Sequence, residues 1–87
     1  MKIEIFNVIR TQLNNDTSAW SFPTFAQARE KMFEEVASEI KMDKDELANQ
    51  DEHFVFNGYD VWKGSDYITI SDGNKFEYEI KETTMCI

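Results

Sequence analysis

With 87 residues and a net charge of −8, the chain is long enough for one domain with a small core and acidic enough to be repelled by nucleic-acid phosphates and anionic lipid. Hydrophobic residues make up 41% and aromatic residues 14%, which excludes a disordered composition. The aromatic rings compensate for small size, since each can bury ~150–250 Å².

Residues 1–6 hold no long apolar run of the signal-peptide kind, and nowhere does the chain approach the ~18 consecutive apolar residues of a membrane span. A single domain over residues 1–87, located in the cytoplasm and out of contact with membranes, is therefore expected. The one cysteine, Cys86, has no second thiol to pair with and reads as an ordinary reduced thiol.

Residues 2–10 read as a strand, with Ile3, Ile5 and Ile9 on one face and Lys2, Glu4, Phe6, Val8 and Arg10 on the other. Asn14-Asn15-Asp16 is a turn cluster. Residues 18–22 alternate, with Trp20 and Phe22 on one side, and suit a short strand in a hairpin with the first. Thr24 with Gln27 three residues on marks a helix start after Pro23. Over residues 24–41, Phe25, Ala28, Met32, Phe33, Val36 and Ile40 form one apolar stripe. Asp43 and Glu46 repeat the cap spacing, so a short helical turn around residues 44–48, anchored by Leu47, is predicted.

From His53 onward the pattern has period two. Phe54 and Phe56 precede Asn57-Gly58, a strong two-residue hairpin signal. Residues 59–63, 66–71 and 75–82 read as short strands, broken at Gly64-Ser65 and at Asp72-Gly73-Asn74. In the last of them Phe76, Tyr78 and Ile80 face inward while Glu77, Glu79 and Lys81 face outward. The fold class expected is α+β: an antiparallel sheet of about four to five strands in the order β-(β)-α-β-β-β, one main helix over about 24–41 packed on one face, and the other face wet.

Little here points to catalysis. The only histidine, His53, lies far from Cys86, and the three glycines stand in turns rather than in a phosphate loop. Asp43-x-Asp45-Glu46 resembles the opening of a calcium loop, but Ala48 stands where that loop needs glycine and Phe54 where it needs its last glutamate. No enzyme, cofactor or metal site is expected.

The acidic stretch stands out. Glu30, Glu34, Glu35, Glu39, Asp43, Asp45, Glu46, Asp51 and Glu52 face three lysines within residues 30–52, a local balance of −6. Glu30/Glu34 and Glu35/Glu39 are each four apart, so each pair follows one side of a helix. Such a row either keeps a small protein soluble or imitates a phosphate backbone before a groove of Arg and Lys. A second feature is aromatic. Trp62 is out of phase with Val61, and Tyr67 with Ile68 and Ile70, which makes Trp62 and Tyr67 the candidate exposed interface anchors.

The short acidic chain, the Ile-rich first strand, the helix start at Ser21-Phe22-Pro23-Thr24-Phe25, the acidic helix and the aromatic hairpins together resemble small acidic accessory proteins of phages and other mobile elements, of the anti-CRISPR or anti-restriction type. The resemblance implies a DNA-mimic role: the acidic face would engage a basic protein surface and inhibit a nucleic-acid-binding protein, with no direct contact to nucleic acid. The alternative is a structural or homo-oligomeric module, in which an edge strand or the exposed aromatics join two copies as a homodimer.

Overall fold

The computed structural model describes residues 1–12, 17–73 and 75–86. The chain runs β1 (Lys2–Gln12), β2 (Thr17–Phe22), α1 (Phe25–Ile40), α2 (Lys44–Ala48), β3 (His53–Phe56), β4 (Tyr59–Lys63), β5 (Tyr67–Ser71) and β6 (Lys75–Cys86). All six strands join one antiparallel sheet in the order β2-β1-β6-β5-β4-β3.

This corrects the expected layout of four to five strands with one main helix. His53–Phe56 is a strand in its own right, because Asn57 (φ 52°) and Gly58 (φ 81°) fold it directly back onto β4. A two-residue turn of that hand matches the twist of the flanking strands. The segment over 44–48 is a second helix. Asp43 Oδ1 accepts the Asp45 amide at 3.0 Å, and Leu47 is fully buried beneath it. The two outer limits also move. Strand β1 reaches Gln12 and β6 reaches Cys86, because each is the hydrogen-bonding neighbour of the other along the whole of β1. The Asn14-Asn15-Asp16 turn lies outside the described residues, as does Asn74 of the later turn.

Helix α1 starts where Thr24 Oγ1 accepts the Gln27 amide at 3.2 Å. It ends at Lys41, whose left-handed backbone (φ 60°) lets the Lys41 and Met42 amides reach the Ala37 carbonyl. Its buried stripe is Ala28, Met32, Phe33, Val36, Ala37 and Ile40. Phe25, expected on that stripe, is 38% exposed at the helix start and meets Phe6 edge-on, with ring centroids 6.0 Å apart. The stripe packs on one sheet face, where Val8, Tyr78, Ile80, Ile68, Ile70 and Val61 complete the core.

Burying large side chains here removes roughly 1.5–3 kcal/mol of solvent cost per residue. The Tyr78 hydroxyl accepts from Arg10 Nε at 2.9 Å, so the one polar tip in the core is satisfied, and burial raises its pKa above the usual phenol value.

Candidate protein interaction surfaces

The two sides of the sheet differ in chemistry. Helices α1 and α2 cover one face; among the described residues nothing covers the other. The nine acidic residues of the helical side fall into three groups. Glu30 and Glu34 lie on the outer side of α1 and are exposed. Glu35 and Glu39 lie along its flank, half-buried, close enough to Tyr78 to disfavour its ionisation. Asp43, Asp45, Glu46, Asp51 and Glu52 are exposed on and after α2.

Lysines neutralise part of the first two groups. Lys31 bridges to Glu35 at 2.8 Å and to Glu34 at 3.8 Å, and Lys44 reaches across from α2 to Glu30 at 2.8 Å. The Lys44 hydrogen bond and charge lower the Glu30 pKa, and the same pair raises that of Lys44. Asp43 is occupied by its helix cap. The carboxylates that make no ion pair or side-chain hydrogen bond among the described residues are Glu39, Asp45, Glu46, Asp51 and Glu52, and four of these belong to α2 and the segment after it. The acidic surface is thus centred on α2 more than on the long helix.

A clamp that the sequence does not announce holds α2 in place. Lys63, at the end of β4, donates from Nζ to the carbonyls of Leu47 (2.9 Å), Ala48 (3.2 Å) and Gln50 (2.6 Å). These carbonyls lie at and just after the C-terminus of α2, where that of Leu47 also accepts the Gln50 amide at 3.2 Å and where a cation meets the negative end of the helix dipole. Burial, with the Arg29 charge nearby, lowers the Lys63 pKa. Between α1 and α2 lies a groove of about 380 Å³, with Phe25, Ala26, Phe33 and Ala48 as its apolar lining and Arg29, Glu30, Lys44 and Asp45 around it.

Strand alternation and register assign the uncovered face. It carries Ile3, Ile5, Asn7 and Ile9 of β1, Lys75, Glu77, Glu79, Lys81, Thr83 and Met85 of β6, and Tyr67, Trp62, His53 and Val55 of β5 to β3. Ile3, Val55, Trp62, Tyr67 and Met85, most of the large hydrophobic residues exposed among the described residues, share that face. Trp62 is 50% and Tyr67 45% exposed.

The rings form a strip. His53 stacks on Trp62, with centroids 4.1 Å apart and planes 9° from parallel, and its Nε2 meets the Asp60 carboxylate. The Tyr67 ring lies over Gly64, where any Cβ would fall 2.0 Å from Cε1. The formal charges of the face are Lys75 and Lys81 against Glu77, Glu79 and Asp60, and Lys75–Glu77 (3.0 Å) and Lys81–Glu79 (3.1 Å) are already paired. Asn7 ties three strands together, accepting from Ser21 Oγ at 2.7 Å and donating to Thr83 Oγ1 at 3.0 Å.

Among the described residues no group of three or more His, Cys, Asp or Glu is placed to hold a metal ion, and no helix is long and apolar enough to cross a membrane. Cys86 is an exposed free thiol near the end of β6. Comparison with protein-family models, with curated proteins and with solved structures gave no match, so both surfaces are read from their own chemistry.

Proposed function

We propose that the chain is a non-enzymatic cytoplasmic binding protein whose acidic helical side docks on a basic protein surface, its concrete form being an inhibitor that occupies the nucleic-acid groove of its target. The observation that carries this reading is the separation of charge. Residues 30–52 hold a net −6 on the helical side, whereas the uncovered sheet face is close to neutral and internally paired. Carboxylates held on a stiff layer steer a cationic partner and orient it. Asp45, Glu46, Asp51 and Glu52 are the leading contacts, with Glu34 at the margin. Trp62 and Tyr67, on the far side, supply a second contact surface of apolar character.

The test is affinity capture at low salt, followed by titration of the captured protein in purified form. Reversal of Asp45, Glu46, Asp51 and Glu52 to Lys abolishes binding on this reading, while an equal number of reversals at Asp60, Asp66, Glu77 and Glu79 leaves it largely intact. DNA competes, and affinity falls steeply with salt. Binding that survives the first set of reversals, with the fold checked by circular dichroism, refutes the assignment.

A further inference from the structure

Strands β1 and β6 outrun their neighbours at one end of the sheet. Strand β2 flanks β1 only along residues 6–11, and β5 flanks β6 only along 75–79, with one further bond from the Ile80 amide to the Asp66 carbonyl. Residues 2–5 and 82–86 therefore project as a two-stranded ribbon. It is exposed over most of its length and adds roughly 13–17 Å to the sheet at ~3.3 Å per residue. A ribbon of two strands is marginal on its own in water, and its outer edges offer a template for another strand.

On the β1 side the vacant lane continues the line of β2. A notch of about 230 Å³, lined by Ile3, Glu4, Ile5, Ser21, Phe22 and Pro23, marks where β2 stops and the lane opens.

The charges along this edge fit one partner. An antiparallel pairing of residues 2–4 with the same residues of a second copy, about a two-fold axis perpendicular to the sheet at Ile3, sets Lys2 opposite Glu4 of the partner and Glu4 opposite the partner's Lys2. Ile3 then meets Ile3. Directly opposed side chains in such a pair lie ~4.5–5.5 Å apart at Cβ, within reach of an ion pair. Neither Lys2 nor Glu4 has an ion-pair partner in its own chain among the described residues. Strand β2 of each copy then abuts the N-terminal end of the partner's β1 in one lane, without overlap.

The other free edges lack this property. The outer edge of β2 carries no charge, that of β3 only His53, and no register that keeps the two faces aligned brings Lys81 of β6 against Glu82.

We infer that the chain forms a two-fold homodimer by pairing the β1 edges over residues 2–4, giving one continuous twelve-stranded sheet. Both helical layers then lie on the same side, so two acidic surfaces are presented together. The contact itself does not depend on what those surfaces bind.

Sedimentation equilibrium of four proteins tests it: wild type, Lys2→Glu, Glu4→Lys and the double swap. The wild type is expected to dimerise at micromolar concentration. Each single change turns two attractive pairs into two repulsive ones and weakens the dimer about tenfold or more. The double swap exchanges the signs and restores affinity to near wild type, which a general loss of folding could not do. A monomeric wild type, single variants that dimerise as well as wild type, or a double swap as weak as the singles would each overturn the inference. So would a dimer that ignores Lys2 and Glu4 but is lost on Ala19→Lys or Trp62→Ala, since it would place the contact on β2 or on the aromatic strip.

Discussion

Replacing Lys63 with Met keeps the length of the side-chain stem and removes all three donors that close the C-terminus of α2. Of the three bonds, those to Leu47 and Gln50 are partly buried and that to Ala48 is exposed. Water takes over the exposed acceptor at little cost. Each of the other two contributes about 1 kcal/mol net, so the substitution should cost about 2 kcal/mol in all. For a domain of this size 1 kcal/mol corresponds to roughly 4–8 °C, which places the fall in melting temperature near 10 °C.

The loss should be concentrated in α2. The Leu47, Asn49 and Gln50 amides, which bond to Asp43, Asp45, Glu46 and Leu47 carbonyls, should exchange with solvent faster relative to those of β1 and β6. Thermal melts and amide hydrogen exchange read the two effects separately. Lys63→Arg should recover only part of the loss, because a planar fork cannot converge on three carbonyls as an ammonium does. A melting temperature within a degree or two of wild type, together with unchanged exchange at those amides, would refute the clamp.

Two further outcomes follow from the packing. Gly64→Ala drives a methyl into the Tyr67 ring; the ring is exposed enough to swing aside, so stability should drop by less than about 1 kcal/mol while the near-UV circular dichroism of the aromatic strip changes clearly. The second concerns alkaline pH. Burial lifts the Tyr78 pKa above its ordinary value of 10.0, so its contribution is fully present below pH 10 and is lost as pH rises through the folded value. Melting temperature against pH should therefore decline above pH 10 in the wild type and decline less in Tyr78→Phe, which also loses about 1 kcal/mol at neutral pH with the Arg10 hydrogen bond.

Where a signal is local, the sequence carried it. The stripe of Ala28, Met32, Phe33, Val36 and Ile40, the Thr24 cap, the Asp43 cap and the Asn57-Gly58 turn all depend on residues within one or two turns of each other, and all appear in the structure. Phase alone put Trp62 and Tyr67 opposite Val61 and Ile68, and both are exposed.

What stayed hidden depends on partners far along the chain. The strand count and the reach of β1 and β6 follow from their mutual pairing, which no window of residues displays. The alternation of β6 fades after Ile80, because the ribbon residues are exposed on both faces. Lys63 looks like any strand-end lysine until α2 is set beside it. The acidic run gave its total charge correctly but not its distribution. Lys31 and Lys44 spend that charge unevenly, and the uncommitted carboxylates collect around α2.

Strand β1 is synthesised before the other five strands of the sheet and β6 after them, yet the two are adjacent within it, with Asn7 bonded to Lys81 across 74 positions. Local hairpins on either side can form during synthesis, but they remain two separate halves until the final strand arrives to join them. Translation that stalls before β6 would release a protein divided between β1 and β5, with two raw seams and without Phe76, Tyr78 and Ile80 in its core, rather than one merely trimmed at its edge.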